Sequence, residues 1–173
     1  MEDSDHITPH PIPEELYSEY EERPFLTCTR CGETLSDFND GFQIAKVFKR
    51  SEVIFEYALC SPCHTGMIHE FSMESRQALE NYYAQNMKSG LGSEHCGICR
   101  TTRNQLPEPE FIVGAACLGS DLLESFMICS PCMEKSDLLV SRKTQGIWND
   151  FIDRNFPGVP ADALPCPTNI SIF

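Results

Sequence analysis

Eight of the ten cysteines stand in pairs of the form Cys-x-x-Cys, and the pairs form two matched sets. Within a set, the two pairs are separated by 28 residues in the first case and by 29 in the second. A tetrahedral metal with sulfur ligands at about 2.3 Å needs two thiolates from each of two tight turns, and two intervening residues allow such a turn. The spacing therefore predicts two sites, each holding one Zn²⁺, with iron as the alternative. The predicted ligands are Cys28, Cys31, Cys60 and Cys63 in one site, and Cys96, Cys99, Cys129 and Cys132 in the other.

The second pair of each set has the same sequence, Cys-Ser-Pro-Cys, at positions 60–63 and 129–132. Serine is a good helix N-cap, and proline is favoured at the first helical position. We therefore expect Ser61 and Ser130 to cap helices, with Cys63 and Cys132 in the first turn. The helix dipole favours a thiolate over a thiol at that place.

Between the pairs of each set, the pattern predicts a β-hairpin. Alternating apolar runs flank a turn at 49–52 in the first half, and the runs 111–118 and 122–128 flank a turn at 119–121 in the second. After each second pair the apolar period becomes helical. Ser72 could cap a second helix there, which leaves one kinked helix or two as alternatives. Leu79 and Trp148 correspond at an offset of 69 residues, which is also the offset between the Cys-Ser-Pro-Cys copies, so the chain is a duplication.

A knuckle, a hairpin and a helix that carries the last two ligands resemble the treble-clef class of zinc fingers over residues 25–86 and 94–156. The resemblance implies an α+β fold of two tandem duplicated zinc-binding units. Zinc ribbons place their second pair on a hairpin turn, which the Ser-Pro fits less well. The first knuckle, Cys28-Thr-Arg-Cys31-Gly32, is also similar to rubredoxin iron sites, a similarity that would imply electron transfer. His64 and Met133 stand where a second rubredoxin knuckle usually has glycine.

The repeat and the composition divide the chain into four parts: an acidic, disordered N-terminal arm over 1–24, metal-binding units over 25–90 and 91–158, and a C-terminal arm over 159–173. The alternative for the first arm is a short helix over 13–22 that docks on the body of the protein or on a partner, with Leu16 and Tyr20 on one face. We expect Leu16, Tyr17 and Tyr20 to supply apolar anchors for a partner.

The formal net charge is −13, and residues 1–24 contribute eight acids against one arginine. Nucleic-acid binding draws on lysine and arginine, so this balance disfavours it. A binder of nucleic acid would have to use Arg30, Lys46, Lys49, Arg50, Arg100 and Arg103. No stretch approaches the ~18 apolar residues of a membrane span. Residues 1–6 lack the basic start and apolar run of an export signal, so we expect a cytoplasmic protein with reduced thiols.

Outside the two cysteine sets, no arrangement of residues indicates catalysis. Four thiolates close the coordination shell that a zinc enzyme would keep open. Cys117 is expected to be a buried strand residue and Cys166 a bystander, while His64 and His95 are not needed as ligands. The prediction is a non-enzymatic, zinc-stabilised acidic module that interacts with another protein.

Overall fold

The computed structural model describes residues 10–88, 90–107 and 109–156. Predictions for residues 1–9, for the C-terminal arm over 159–173 and for Cys166 lie outside these ranges. The protein is an α+β fold, as predicted. Its strands are β1 (His10–Pro11), β2 (Phe42–Lys49), β3 (Glu52–Cys60), β4 (Gly92–Cys96), β5 (Glu110–Leu118) and β6 (Asp121–Cys129). Its helices are α1 (Ser61–Glu70), α2 (Met73–Asn86), α3 (Ser130–Asp137) and α4 (Arg142–Asn155).

The six strands form one sheet that both halves of the duplication share. The predicted hairpins are β2–β3 and β5–β6, and antiparallel pairing of β2 with β5 joins them in the order β1-β6-β5-β2-β3. Strand β4 lies parallel to β6. Arg50 and Ser51 form the first hairpin turn with φ of +51° and +68°. Positive φ at both turn residues matches the twist of the flanking strands.

The two halves are related by a pseudo-two-fold axis through the centre of the sheet. In the β2–β5 register Ala45 lies opposite Gly114, and these two residues are themselves 69 positions apart. The same register pairs Phe42 with Cys117 and Phe48 with Phe111. Positions 42 and 111, and positions 48 and 117, are also 69 apart, so the duplication converts one of these pairs into the other. Each half therefore contributes the same strand to the contact between them, as in the isologous interface of a symmetric dimer.

The helices cover one face of the sheet, and they cross from one half to the other. Trp148 of α4, in the second half, lies 6.2 Å from the Phe55 ring and 6.0 Å from the Tyr57 ring of β3, in the first half. Phe151 lies 5.4 Å from the ring of Tyr57. These aromatic contacts belong to a single apolar core, so the duplicated halves are packed into one body.

Two helices follow each second cysteine pair, which resolves the alternative left by the sequence. Ser72 caps α2 by accepting from the Ser75 N–H, and Ser141 caps α4 by accepting from the Thr144 N–H. The two caps also contact each other, with their Oγ atoms 2.9 Å apart. The Ser72 N–H donates to Thr144 Oγ1 at 3.0 Å, and the Ser141 N–H donates to Ser75 Oγ at 2.8 Å. Side chains at the start of each helix thus accept hydrogen bonds from a backbone N–H at the start of the other helix.

The prediction of a disordered arm is wrong for residues 10–24, which pack on the face of the sheet opposite the helices. Lys46, with 1% of its surface exposed, points from β2 into this segment. Its ammonium donates to the backbone C=O groups of Glu15 and Tyr17. A buried ammonium requires polar partners, and the arm supplies them. Glu56 on the neighbouring strand accepts from the Ser18 hydroxyl at 2.8 Å and from the Glu19 N–H at 3.0 Å.

The predicted anchors of the arm do not share a face. Leu16 is only 2% exposed and lies in the core, whereas Tyr20 is 93% exposed. The segment forms a short 3₁₀ helix, Glu14–Leu16, after which the chain is extended at Tyr17, so the i, i+4 relation of an α-helix does not apply. Leu16 is therefore part of the fold and is not available to a partner.

Candidate metal centres

The structure brings the eight paired cysteines together in the two predicted sets of four. Within each set all four sulfur atoms lie within 4.8 Å of one another. The Sγ atoms of Cys31 and Cys60 are 3.8 Å apart, and those of Cys99 and Cys129 are 3.6 Å apart. Four sulfurs at about 2.3 Å from one tetrahedral metal would be about 3.8 Å from each other. Both clusters therefore fit a tetrahedral metal ion, and the role of each cysteine as a ligand stays a prediction.

The first pair of each set lies on a knuckle that a left-handed residue closes. Gly32 has φ of +77° and donates its N–H to the C=O of Cys28 at 2.9 Å. Arg100 takes the same place in the second knuckle with φ of +64°, and it donates to the C=O of Cys96 at 2.8 Å. Glycine adopts this conformation without strain, and arginine adopts it only where the surrounding contacts hold it there.

Backbone N–H groups point at one sulfur of each cluster. The N–H of Cys60 donates to Cys28 Sγ, and the N–H of Cys129 donates to Cys96 Sγ, both at 3.4 Å. Burial alone raises the pKa of the Cys28 thiol, but N–H groups of Cys31, Cys60 and Arg30 outweigh it and lower that pKa to about 7. Hydrogen bonds from the thiols of Cys129 and Cys132 hold the pKa of Cys96 well below its usual range.

The pKa values of Cys63 and Cys132 shift in the opposite direction. Burial raises the pKa of Cys63, and repulsion by the Cys28 thiolate adds to the effect. The pKa of Cys132 is raised by the hydrogen bonds that its thiol donates to Cys129 and Cys96. One thiolate in each cluster thus forms readily and opposes ionisation of its neighbours. A divalent cation would reverse that repulsion and deprotonate its thiol ligands.

The second pair of each set lies at the start of a helix, but each helix begins one residue earlier than predicted. Cys60 and Cys129 are the N-caps of α1 and α3, whereas Ser61 and Ser130 are the first helical residues. The Ser61 hydroxyl instead donates to the C=O of Asp40 at 3.2 Å. The last cysteine of each set lies in the first helical turn, as predicted. The helix dipole does not lower its pKa as expected, because burial of Cys63 and the hydrogen bonds that Cys132 donates raise it.

Contacts around the clusters come from elements that the cysteine pattern does not reveal. Arg30 donates to the C=O of Cys63 at 3.2 Å and also pairs with Glu70 at the end of α1. The Tyr82 hydroxyl donates to the C=O of Cys132 at 3.3 Å. Tyr82 belongs to α2 of the first half, so the second cluster is braced by the opposite half of the chain. The helical period marks Tyr82 as a packing residue, but only the tertiary arrangement gives it this contact.

The other cysteines and histidines of the described chain stay outside both clusters. Cys117 is buried in β5, and burial raises its pKa to about 12. His64 is also buried, its pKa lowered to about 4 by that burial, and its Nε2 has no hydrogen-bond partner among the described residues. His95 is not in either group of sulfur atoms.

Two of the basic residues that a nucleic-acid binder would need are engaged within the fold. Lys46 is buried against the arm, as described above. The Arg103 guanidinium lies 4.5 Å from the centroid of the Phe111 ring and forms an ion pair with Glu15. Neither is placed to reach a phosphate backbone.

Comparison of the chain with models of known protein families, with curated proteins and with solved structures finds no match. The likeness to a zinc-binding fold therefore rests on the two clusters and on the elements that carry them. No helix in the described ranges is long and apolar enough to cross a lipid bilayer.

Proposed function

We propose that the protein is a non-enzymatic interaction module of the cytoplasm, whose two cysteine clusters hold zinc for structural purposes. One observation carries the proposal: each cluster gathers four sulfur atoms within 4.8 Å, a complete tetrahedral set. A structural zinc site is closed by four protein ligands, whereas a catalytic site keeps a position for water or substrate. The metal would then stabilise the fold and leave function to the surface.

The choice of zinc is supported by the arrangement of the second pair. Cys63 and Cys132 lie in the first turns of α1 and α3, which is the treble-clef arrangement, whereas a rubredoxin site would use a second knuckle there. Zinc bound to thiolates contributes folding free energy directly, on the order of 10–16 kcal/mol in small zinc-finger peptides. A chain that shares one small core between two repeats would gain stability from such sites.

A protein partner is supported by the combination of charge and exposed apolar residues. The net charge of −13 disfavours nucleic acid as a partner. Exposed apolar side chains, among them Tyr20, Leu26 and Ile54, lie close together around one depression of the surface. Grouped apolar exposure of this kind marks interaction sites.

Metal analysis of protein purified from its own host tests the structural role. We expect two zinc ions per chain and no visible colour. After replacement by Co²⁺, each site should show a four-sulfur tetrahedral spectrum that added cyanide or imidazole leaves unchanged, because a closed shell has no position to offer. Bound iron with a reversible redox transition would contradict the proposal, as would a cobalt spectrum that responds to the added ligands.

A further inference from the structure

The two halves differ in which strands flank the outer side of their last strand in the sheet, β6 in one half and β3 in the other. Along its outer side, β6 is flanked by β1 at Asp121 and Leu122 and by β4 at Phe126 and Met127. Strand β3, its counterpart, is the last in the order β1-β6-β5-β2-β3, so no strand lies along its outer side in the described part of the chain. Folded proteins usually cover or blunt such an edge, because its free backbone groups can pair with another chain.

The sequence explains why the first half lacks the covering strand. Counted from the first cysteine of each set, residues 24–28 correspond to β4, Gly92–Cys96. Gly92 pairs with Phe126, but Pro24 stands in its place and has no N–H to donate. Thr29 donates its N–H to the C=O of Ala58 at 2.8 Å, as Gly97 does to Met127 in the second half. In the first half, however, the Ala58 N–H donates to the Thr29 side chain, at 3.2 Å from Oγ1. A groove lies between residues 25–29 and the first part of β3.

This groove, which we call the β3 groove, has a volume of about 830 Å³. Its apolar lining includes Phe25, Leu26, Ile54 and Phe156, and both Leu26 and Ile54 are exposed there. Glutamates stand at its rim, and no lysine or arginine lines it. The acidic members are Glu19, Glu21 and Glu56. Lys46 pairs with Glu19 and Glu56, and Arg23 pairs with Glu21, so three carboxylates against two cations leave the rim with one net negative charge.

The β3 backbone offers hydrogen bonds to an occupant over a short distance. The C=O of Ala58 points outward, because Thr29 binds it from outside the sheet. Backbone groups alternate along an antiparallel strand, so the N–H and C=O of Glu56 also point outward. A bulge limits the run, since Val47 pairs with Phe55 and Phe48 with Val53, leaving Ile54 as the extra residue. A bulge on an edge strand restricts pairing with long strands and redirects a side chain, and the Ile54 side chain is exposed at this groove.

We propose that the β3 groove binds a short extended peptide of a partner protein, in which large apolar residues alternate with lysine or arginine. The inference rests on the proposed interaction function and names its partner chemistry. Added alongside β3, such a peptide would bond to the backbone at Glu56 and place alternate side chains on the apolar lining. Its basic residues would meet the acidic rim, and this charge complementarity steers association and discriminates against acidic peptides.

Two other occupants fit the charge less well. A second copy of the chain would bring the Glu19 and Glu21 rims of both molecules together, and juxtaposed like charges oppose association. Residues 157–173 of the same chain follow Phe156 at the groove, but they contain one aspartate and no lysine or arginine. The experiment tests for each of these two occupants separately.

The test uses the zinc-loaded chain of 173 residues and a fluorescent probe peptide, acetyl-Lys-Ile-Lys-Phe-Lys-Ile-amide. The matched probe replaces each lysine by glutamate. At about 0.1 M salt, where charges are screened beyond ~10 Å, we expect the lysine probe to bind at least tenfold more tightly than the glutamate probe. In the ¹⁵N spectrum, the lysine probe should shift the amide signals of residues 25–29 and 52–56. A lysine probe N-methylated at alternate backbone positions should bind more weakly, because it cannot pair with β3.

Variants separate the β3 groove from other surfaces. Ile54→Lys should weaken binding of the lysine probe at least tenfold with the zinc content unchanged. Leu138→Lys, on a residue that is 86% exposed at the end of α3, is the matched control and should bind the probe normally. A double variant, Glu19→Gln with Glu21→Gln, should weaken binding and reduce its dependence on salt, which keeps the test valid if Ile54→Lys disturbs the hairpin.

Several results would overturn the inference. Equal binding of both probes, normal binding by Ile54→Lys together with the glutamine variant, or spectral shifts confined to other surfaces would each do so. Removal of residues 157–173 that strengthens probe binding would identify the chain's own terminus as the occupant. Self-association that Ile54→Lys abolishes would identify a second copy. If a partner captured from the host still binds Ile54→Lys, the β3 groove is the wrong site while the interaction function stands.

Discussion

Replacing Leu16 by alanine tests whether residues 10–24 belong to the fold. The Leu16 side chain is buried in the same apolar core as Leu35 and Ile44, on the face of the sheet that the arm covers. Its truncation removes about three buried carbon groups, worth about 2.4 kcal/mol at ~0.8 kcal/mol each. An unfilled cavity can raise the loss to about 5 kcal/mol in a rigid core. Because the arm can shift to fill the space, we expect Leu16→Ala to lower the free energy of unfolding by about 2–3 kcal/mol.

Tyr20→Ala is the matched control for this change. Tyr20 lies four residues from Leu16 in the same arm, yet its side chain is almost fully exposed. Surface substitutions of this kind change stability by about 0.5 kcal/mol or less. The two variants therefore separate a packed arm from a disordered one, in which both changes would be equally silent.

Urea unfolding of the zinc-loaded chain, followed by the fluorescence of its only tryptophan, measures both variants. Trp148 lies in the shared core, so its signal reports unfolding of both halves. For Leu16→Ala we expect the midpoint to fall by about 1 M urea at an unchanged slope, and the melting temperature to fall by about 4–12 °C. A midpoint equal to that of Tyr20→Ala would refute the packing of the arm.

Three further changes test other parts of the fold. Lys46→Met should destabilise the protein by about 3–5 kcal/mol in the same urea assay, because it leaves the Glu56 carboxylate without its buried partner; a neutral result would contradict the burial of the ion pair. Cys117→Ser should lose about 1–3 kcal/mol if the hydroxyl finds no partner, while elemental analysis still finds two zinc ions, and loss of metal would show that the ligand sets are misassigned. Removing zinc with a chelator should unfold both halves together. Two separate unfolding transitions in calorimetry would contradict the shared core.

The cysteine clusters and the local elements were predictable because their signals lie within each repeat. Two residues between cysteines define a knuckle or a first helical turn wherever the repeat occurs. Alternation over 53–59 identifies a strand without reference to the other half. The capping serine at position 72 marks a second helix for the same reason. All these features depend on residues that are close together in the sequence.

The relation between the repeats was not predictable from these patterns. The pairing of β2 with β5 and the packing of α4 over β3 join residues far apart in the chain, and an amphipathic face does not specify which half will cover it. The arm was mispredicted because its composition is acidic and proline-rich, while the reason for its order, the buried ammonium of Lys46, lies 22 or more residues further along the chain. The left-handed conformation of Arg100 gave no signal either, since arginine is not typical of that conformation.

The pseudo-two-fold axis through Ala45 and Gly114 also has a consequence for valency. Two separate copies of one repeat, paired in this way, would be identical by symmetry and would present every surface twice. Joining the copies in one polypeptide removes that constraint, since each half can change without the other. Among residues 10–88, 90–107 and 109–156, β6 is flanked by β1 and β4 on its outer side and β3 by no strand. In the described part of the chain, the outer side of the last strand is therefore uncovered in one half only, at β3. If that side binds an extended segment as proposed, each chain would bind one such segment and would not crosslink its partners.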